Sequence, residues 1–272
     1  MTMRRPERSY IVCATPRCGS TLLCATLADT GLAGRPQEYF EARAASGIPR
    51  RPREYFDDAP SADLRPVPDV ESPAPAYSDL RGVDDYRRHL RAALEEGTTP
   101  NGVFAAKLMW MHVDDLLALA RTLPEHRDAD LRELLAALLG DPAYVWVRRR
   151  DAVRQAVSLW RAMQTQSWRA GSSGAPGCDD APRYDFAVLH HLVGRLKRED
   201  RAWAAWFAEQ AMKPLELFYE DFVAEPRAAA DTVARRIGVT LEPLAGDAGP
   251  PLARQADDTS ASWAQRYLVE VG

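Results

Sequence analysis

The sequence predicts an α/β protein with a mostly parallel central sheet and helices on both faces. Two observations carry this. Short apolar runs alternate with longer stretches of helical periodicity from one end of the chain to the other. The runs at 10–14 and 143–149 are also apolar almost throughout, as strands covered on both faces must be. The chain has 272 residues and no internal repeat, and we read 1–272 as one domain.

The first unit, Tyr10 to Glu41, organises the rest. Tyr10, Ile11, Val12, Cys13 and Ala14 form a buried strand that Pro16 ends. Gly19, Ser20 and Thr21 turn the chain into Leu22, Leu23, Ala25, Thr26 and Leu27, which have helical spacing, and Gly31 stops the helix. A loop that opens a helix just after a strand aims free N–H groups and the positive end of the helix dipole at one point. Such a point attracts anions. The spacing is P-loop-like, but G-x-x-x-x-G-K-[ST] is not met: Ala14 stands for the first glycine and Ser20 for the lysine. A plain strand–turn–helix with a capping hydroxyl also accounts for these residues. Arg17, a cation at the crown of the loop, favours the anion site.

The stretch at about 42–82 holds seven prolines, too many for regular helix or a central strand. It is a linker, a lid or a dimer-contacting loop. Tyr39, Phe40, Tyr55 and Phe56 give its first part something to pack with. Asp84 to Gly97 is an amphipathic helix with Tyr86, Leu90, Ala93 and Leu94 on its apolar face. Val103 to Lys107 is a strand that leads into Leu108, Met109 and Trp110. His112 to Leu123 and Asp130 to Leu139 are helices. Ala143 to Arg149 is a second buried strand, and Asp151 caps a helix running through Arg161. Arg169 to Arg183 is a Gly- and Ser-rich loop. Asp185 to Ala211 is a long helix whose aromatic stripe reads as core. Pro214 to Tyr219 is a strand, and Pro226 to Ile237 a helix stopped by Gly238. Gly246 to Thr259 is loop, and Ser260 to Val269 is the last helix. Right-handed crossovers bring the strand ends bearing Arg17, Lys107 and Arg150 to one sheet edge, where such sheets bind ligands.

Composition narrows the function. A net charge of −4 excludes non-specific nucleic-acid binding as the main task. The N-terminal stretch is no signal peptide, and no apolar run reaches the ~18 residues of a membrane span. The four cysteines, Cys13, Cys18, Cys24 and Cys178, form no C-x-x-C pair, which predicts reduced thiols, a cytoplasmic protein and no structural metal. The five histidines have no metal-ligand spacing.

Arg148, Arg149 and Arg150 close a buried strand and meet a helix N-terminus, and Ser158 follows Arg150 by eight residues. Three arginines at a strand end also suit an Arg-rich chain with nothing bound. If Arg150 and Ser158 both face the sheet-edge crevice, a forked cation and a hydroxyl bracket a second anionic group.

With these segments in view, the sequence resembles the sulfotransferases that use 3′-phosphoadenosine 5′-phosphosulfate (PAPS), and looks most like the bacterial trehalose 2-sulfotransferase family. The matching stretches are ATPRCGSTLL with GRPQEYF, TPNGVFAAKLMW, RRRDAVRQAVSLWRAMQTQSW, FYEDF and RQADDTSASWAQRY, between residues 10 and 267. The resemblance implies a sulfotransferase fold, a carbohydrate acceptor with trehalose foremost, and a homodimer. It places Arg17, Cys18, Gly19, Ser20 and Thr21 on the loop for the 5′-phosphosulfate. Arg150, Ser158 and Arg254 fall at the 3′-phosphate, and Tyr219 near the adenine. Glu38 matches the proposed catalytic base. Cys18 departs from the pattern, which usually has serine there, and a thiol is a poor donor. The position is expected to act through its backbone N–H.

These roles suit the chemistry. Sulfuryl transfer must stabilise charge gathering on a departing phosphate and remove a proton from the acceptor. Loop amides, the helix dipole and Arg17 serve the first need, with Arg17 as a charge clamp because a guanidinium does not give up its proton at neutral pH. Glu38 serves the second. Tyr39 and Phe40 are expected to line the acceptor pocket, with Lys107 and Trp110 near leaving group or acceptor. A P-loop kinase or other NTPase, a non-catalytic nucleotide-binding protein, and a sulfotransferase for a glycolipid or glycosylated natural product remain the alternatives.

Overall fold

A computed structural model describes residues 5–41, 55–60, 64, 83–165, 167–168, 182–241 and 258–272. Most of the Pro-rich stretch, the loop after 168, Cys178 and Arg254 lie outside these residues. The strands are β1 (Arg8–Ala14), β2 (Val103–Met109), β3 (Ala143–Arg148) and β4 (Leu215–Phe218), all parallel, in the order β2-β1-β3-β4. The helices α1 (Ser20–Asp29), α2 (Val83–Gly97), α3 (Val113–Ala120), α4 (Leu131–Leu139), α5 (Ala152–Thr165), α6 (Phe186–Glu209), α7 (Tyr219–Phe222), α8 (Pro226–Arg236) and α9 (Asp258–Val271) complete the described chain.

Strand alternation sorts the side chains into two cores. Tyr10, Val12, Ala14, Val103, Ala105, Val145 and Val147 face α1 and α8. Ile11, Cys13, Phe104, Ala106, Leu108, Tyr144 and Trp146 face the other way, onto α2, α3, α4 and the end of α6. The helices on both faces confirm the α/β expectation. A third cluster joins α5, α6 and α9 and takes in Tyr55 and Phe56, both buried.

Several boundaries differ from the sequence reading, for local reasons. Strand β2 runs two residues further, to Met109, because its full register is paired with β1. A short 3-10 turn, Trp110–His112, then intervenes before α3. Tyr219 is not in a strand: β4 ends at Phe218 and Tyr219 opens the one-turn helix α7. Helix α4 begins after Asp130, whose side chain accepts from the Glu133 N–H while Glu133 reaches back, a reciprocal cap.

The end of β1 is fixed from behind. Trp203 on α6 is fully buried, and its Nε1 donates to the Ala14 carbonyl at 3.0 Å. That carbonyl sits where the strand gives way to the loop. Its bond to an indole satisfies a group the sheet no longer can. Trp203→Phe removes the donor and part of the ring. It is expected to cost roughly 1–3 kcal/mol in urea unfolding; a loss near zero would show that Trp203 does not anchor the loop.

Candidate functional site

The loop between β1 and α1 turns through two left-handed residues, Arg17 at φ 63° and Gly19 at φ 93°. Glycine takes that conformation readily, and here a side chain would also be obstructed. A Cβ on Gly19 would lie 2.4 Å from Cδ2 of Tyr219. The Tyr219 ring therefore closes one side of the loop. Gln155 supports the other: its amide donates to the Thr15 hydroxyl at 2.9 Å and the Pro16 carbonyl at 2.7 Å, both in buried surroundings.

Cys18 and Ser20 are buried beside each other. Burial pushes the Cys18 thiol up, partly offset by hydrogen bonds from Ser20. The Cys18 side chain is thus packed inside the loop. Ser20 and Thr21, at the start of α1, present backbone N–H groups that precede the helix's first bonds, those of Leu22 and Leu23 to the Gly19 carbonyl.

Lys107 reaches this helix start. On β2 the odd-numbered positions face α1, which puts Lys107 among Val103, Ala105 and Met109, 7% exposed. Its ammonium donates to the Thr21 hydroxyl at 3.3 Å and pairs with Glu38 Oε1 at 2.8 Å. Glu38 arrives there because the chain before it lies along β2. Gln37 pairs with Ala106 as an isolated parallel bridge, and its carbonyl accepts from the Lys107 N–H at 2.8 Å. Thus the loop hydroxyl, the ammonium and the carboxylate form one contiguous set. Behind it, Glu41 and His112 are both buried, with oxygen and nitrogen 3.5 Å apart.

Arg17 leaves the loop sideways. Its Nε donates to the Ser158 hydroxyl at 2.9 Å and its Nη1 to the Trp168 carbonyl at 2.7 Å. The two residues that the sequence reading assigned to opposite anionic groups are hydrogen-bonded to each other. Arg150 is exposed and pairs with both oxygens of Asp221, at 2.5 and 2.6 Å. Its neighbour Arg149 lies over the Tyr219 ring at 4.7 Å and donates to the Arg17 carbonyl at 3.2 Å.

Tyr39 and Phe40 are both buried in the core against Phe104, and the Tyr39 hydroxyl donates to the Arg35 carbonyl. An apolar pair after a turn reads the same from sequence whether it faces a crevice or the core. Trp110 is partly buried and packs edge-on against Trp203, centroids 5.0 Å apart. Gln155, Trp203 and Arg149 were missed as site residues. Gln155 carried a signal, a polar side chain among the apolar positions of an amphipathic helix. Arg254 lies outside the described residues. Among the described residues no group of three His, Cys, Asp or Glu side chains is placed to hold a metal.

A model of the Stf0 sulphotransferase family matches residues 9–270. A trehalose 2-sulfotransferase of Mycobacterium tuberculosis is 36% identical over 269 residues, which is 98% of this chain and 97% of that protein. A trehalose 2-sulfotransferase of Mycolicibacterium smegmatis is 33% identical over 264 residues, 95% of this chain and 94% of that one. Among solved structures, sulfotransferase STF1 from Mycobacterium tuberculosis H37Rv aligns with 97% of this chain and 72% of its own at 16% identity, with a TM-score of 0.41.

The buried Lys107–Glu38 pair makes a stability prediction. Lys107→Met leaves a largely buried carboxylate without the ammonium that pairs with it and is expected to cost roughly 3–5 kcal/mol in urea unfolding. Adding Glu38→Gln removes the stranded charge and should recover more than half of that loss. Simple additivity of the two substitutions would show that they are not an energetic pair.

Proposed function

The chain belongs to the Stf0 sulphotransferase family, and from that premise we propose that it moves a sulfuryl group from PAPS to a hydroxyl of trehalose, at the 2-position, with Glu38 as general base. The two relatives matched over nearly their whole length are both named trehalose 2-sulfotransferase, which supports the acceptor. The observation that carries the mechanism is the Lys107 ammonium, held between the Glu38 carboxylate and the Thr21 hydroxyl. It keeps a carboxylate at the mouth of the loop that would receive the sulfuryl group.

The residues present fit the donor. The loop is closed by Tyr219 where only a glycine leaves room, and the Nε of Arg149 is buried beside it without a hydrogen-bond partner among the described residues. When bound, PAPS supplies the sulfuryl group and a phosphate leaving group. Cys18, Gly19, Ser20 and Thr21 would hold its 5′ end through the start of α1, with Arg17 adding charge. Arg150, Ser158 and Arg254 would take the 3′-phosphate, and Tyr219 the adenine side. Glu38 takes the acceptor hydroxyl's proton onto a carboxylate oxygen. Lys107 holds that carboxylate toward the loop and helps to neutralise charge beside Thr21. The proposal includes a homodimer working in the cytoplasm; among the described residues no helix is long and apolar enough to cross a membrane.

The test is labelled PAPS with a panel of acceptors, trehalose first, and with ATP and magnesium as the competing donor system. Transfer to trehalose from PAPS is expected. Turnover only with ATP, or transfer only to glycolipids or glycosylated natural products, would refute the donor or the acceptor respectively. Glu38→Gln is expected to lower kcat by about 10²–10⁴-fold while adenosine 3′,5′-bisphosphate affinity changes less than about threefold. Full activity in that variant would remove Glu38 as the base.

A further inference from the structure

Resting on the sulfuryl-transfer reading above, we propose that Arg149 is a further donor-binding residue, whose charge is held without a counter-ion until an anion occupies the loop between β1 and α1. The three arginines at the end of β3 differ sharply in what they touch. Arg148 pairs with Asp200 at 2.7 Å and Glu216 at 3.0 Å. Arg150 pairs with Asp221. Arg149 makes no ion pair among the described residues. It has the Tyr219 ring on one side and the Arg17 carbonyl at one nitrogen, and its Nε is buried with no hydrogen-bond partner.

The acids closest in sequence are committed elsewhere. Glu220 accepts from the backbone N–H groups of Arg150 and Asp151. Asp151 accepts from the Arg154 N–H and lies 3.4 Å from the Arg154 guanidinium. Burial pushes the Arg149 guanidinium down, and the pull of Tyr219, Glu220, Asp151 and Cys18 offsets this only in part. A cation taken out of water without a partner costs free energy, and a folded chain keeps such a group where a missing partner returns it.

Position identifies the partner. Arg149 donates to the carbonyl of Arg17, the left-handed residue at the crown of the loop. Its guanidinium covers the same Tyr219 ring that closes on Gly19. An anion seated on the loop is therefore the counter-charge within its reach. The chemistry required is a phosphate-type anion on an aromatic-bearing ligand, because the guanidinium and the Tyr219 ring form one stacked platform.

The test compares wild type with Arg149→Met and Arg149→Lys. Calorimetry measures affinity for adenosine 3′,5′-bisphosphate and for uncharged adenosine, and urea unfolding measures ligand-free stability. Arg149→Met is expected to weaken the bisphosphate about tenfold or more, to change adenosine binding less than threefold, and to leave ligand-free stability equal or higher. Arg149→Lys, which keeps the charge, should restore part of the bisphosphate affinity. Unchanged bisphosphate affinity in Arg149→Met would overturn the proposal. So would equal losses for both ligands, or a loss in Arg149→Lys as large as in Arg149→Met, since either describes packing and not charge. If wild type binds no bisphosphate, the donor reading itself falls.

Discussion

The site depends on one buried ammonium. Lys107 stands at a position whose neighbours on the same strand face are Val103, Ala105 and Met109, where a lone charge would be costly. Two groups meet it, the Glu38 carboxylate and the Thr21 hydroxyl. These contacts, at 2.8 and 3.3 Å, hold together three segments: strand β2, the chain after α1, and the first turn of α1. The parallel bridge at Gln37 supplies the backbone part of the same junction. Because an ion pair of low exposure suffers more from losing one partner than from losing both, this junction is kept whole or not at all. That property would suit the proposed role of Glu38, a carboxylate kept in place beside an anionic reactant.

The loop opposite is prepared in the same way, by partners fixed before any ligand arrives. Its left-handed turns at Arg17 and Gly19 are conformations that a free chain would seldom hold together. Trp203 holds the strand end, Gln155 holds Thr15 and Pro16, Tyr219 fills the space over Gly19, and Arg149 holds the Arg17 carbonyl. Each comes from a different element, α6, α5, α7 and the end of β3. Donors set in place by the fold need little reorganisation when charge develops. The family's chemistry, sulfuryl transfer, calls for this, because charge moves onto the leaving phosphate.

Fold class was legible because strands buried on both faces leave a plain signal, and the observed alternation sends Tyr10, Val12 and Ala14 one way and Ile11 and Cys13 the other. The strand–turn–helix around Arg17 was legible from Pro16, Gly19 and the following helix. What was not legible is pairing across the chain. Lys107 and Thr21 are 86 residues apart, and only the sheet register brings them together. The link from Arg17 to Ser158 spans 141 residues and depends on where α5 packs. For Tyr39 and Phe40 the sequence does not discriminate, because burial against Phe104 and exposure to a sugar pocket call for the same residue types. Arg149 was hidden between two other arginines, since sequence gives all three the same charge and only the neighbours distinguish them.

Those neighbours order the cations by availability. Arg17 donates to the Ser158 hydroxyl and the Trp168 carbonyl. Arg150 is engaged by a carboxylate, but both groups are half or more exposed, where water screens the pair and an incoming phosphate competes on nearly equal terms. Arg148 is tied to two carboxylates and is the least free to serve a ligand. Arg149 alone of the strand-end three must give up no carboxylate to meet an anion. The three strand-end arginines therefore form a graded set of charges. Arg149, which donates to the Arg17 carbonyl, is the one of the three with no ion pair among the described residues.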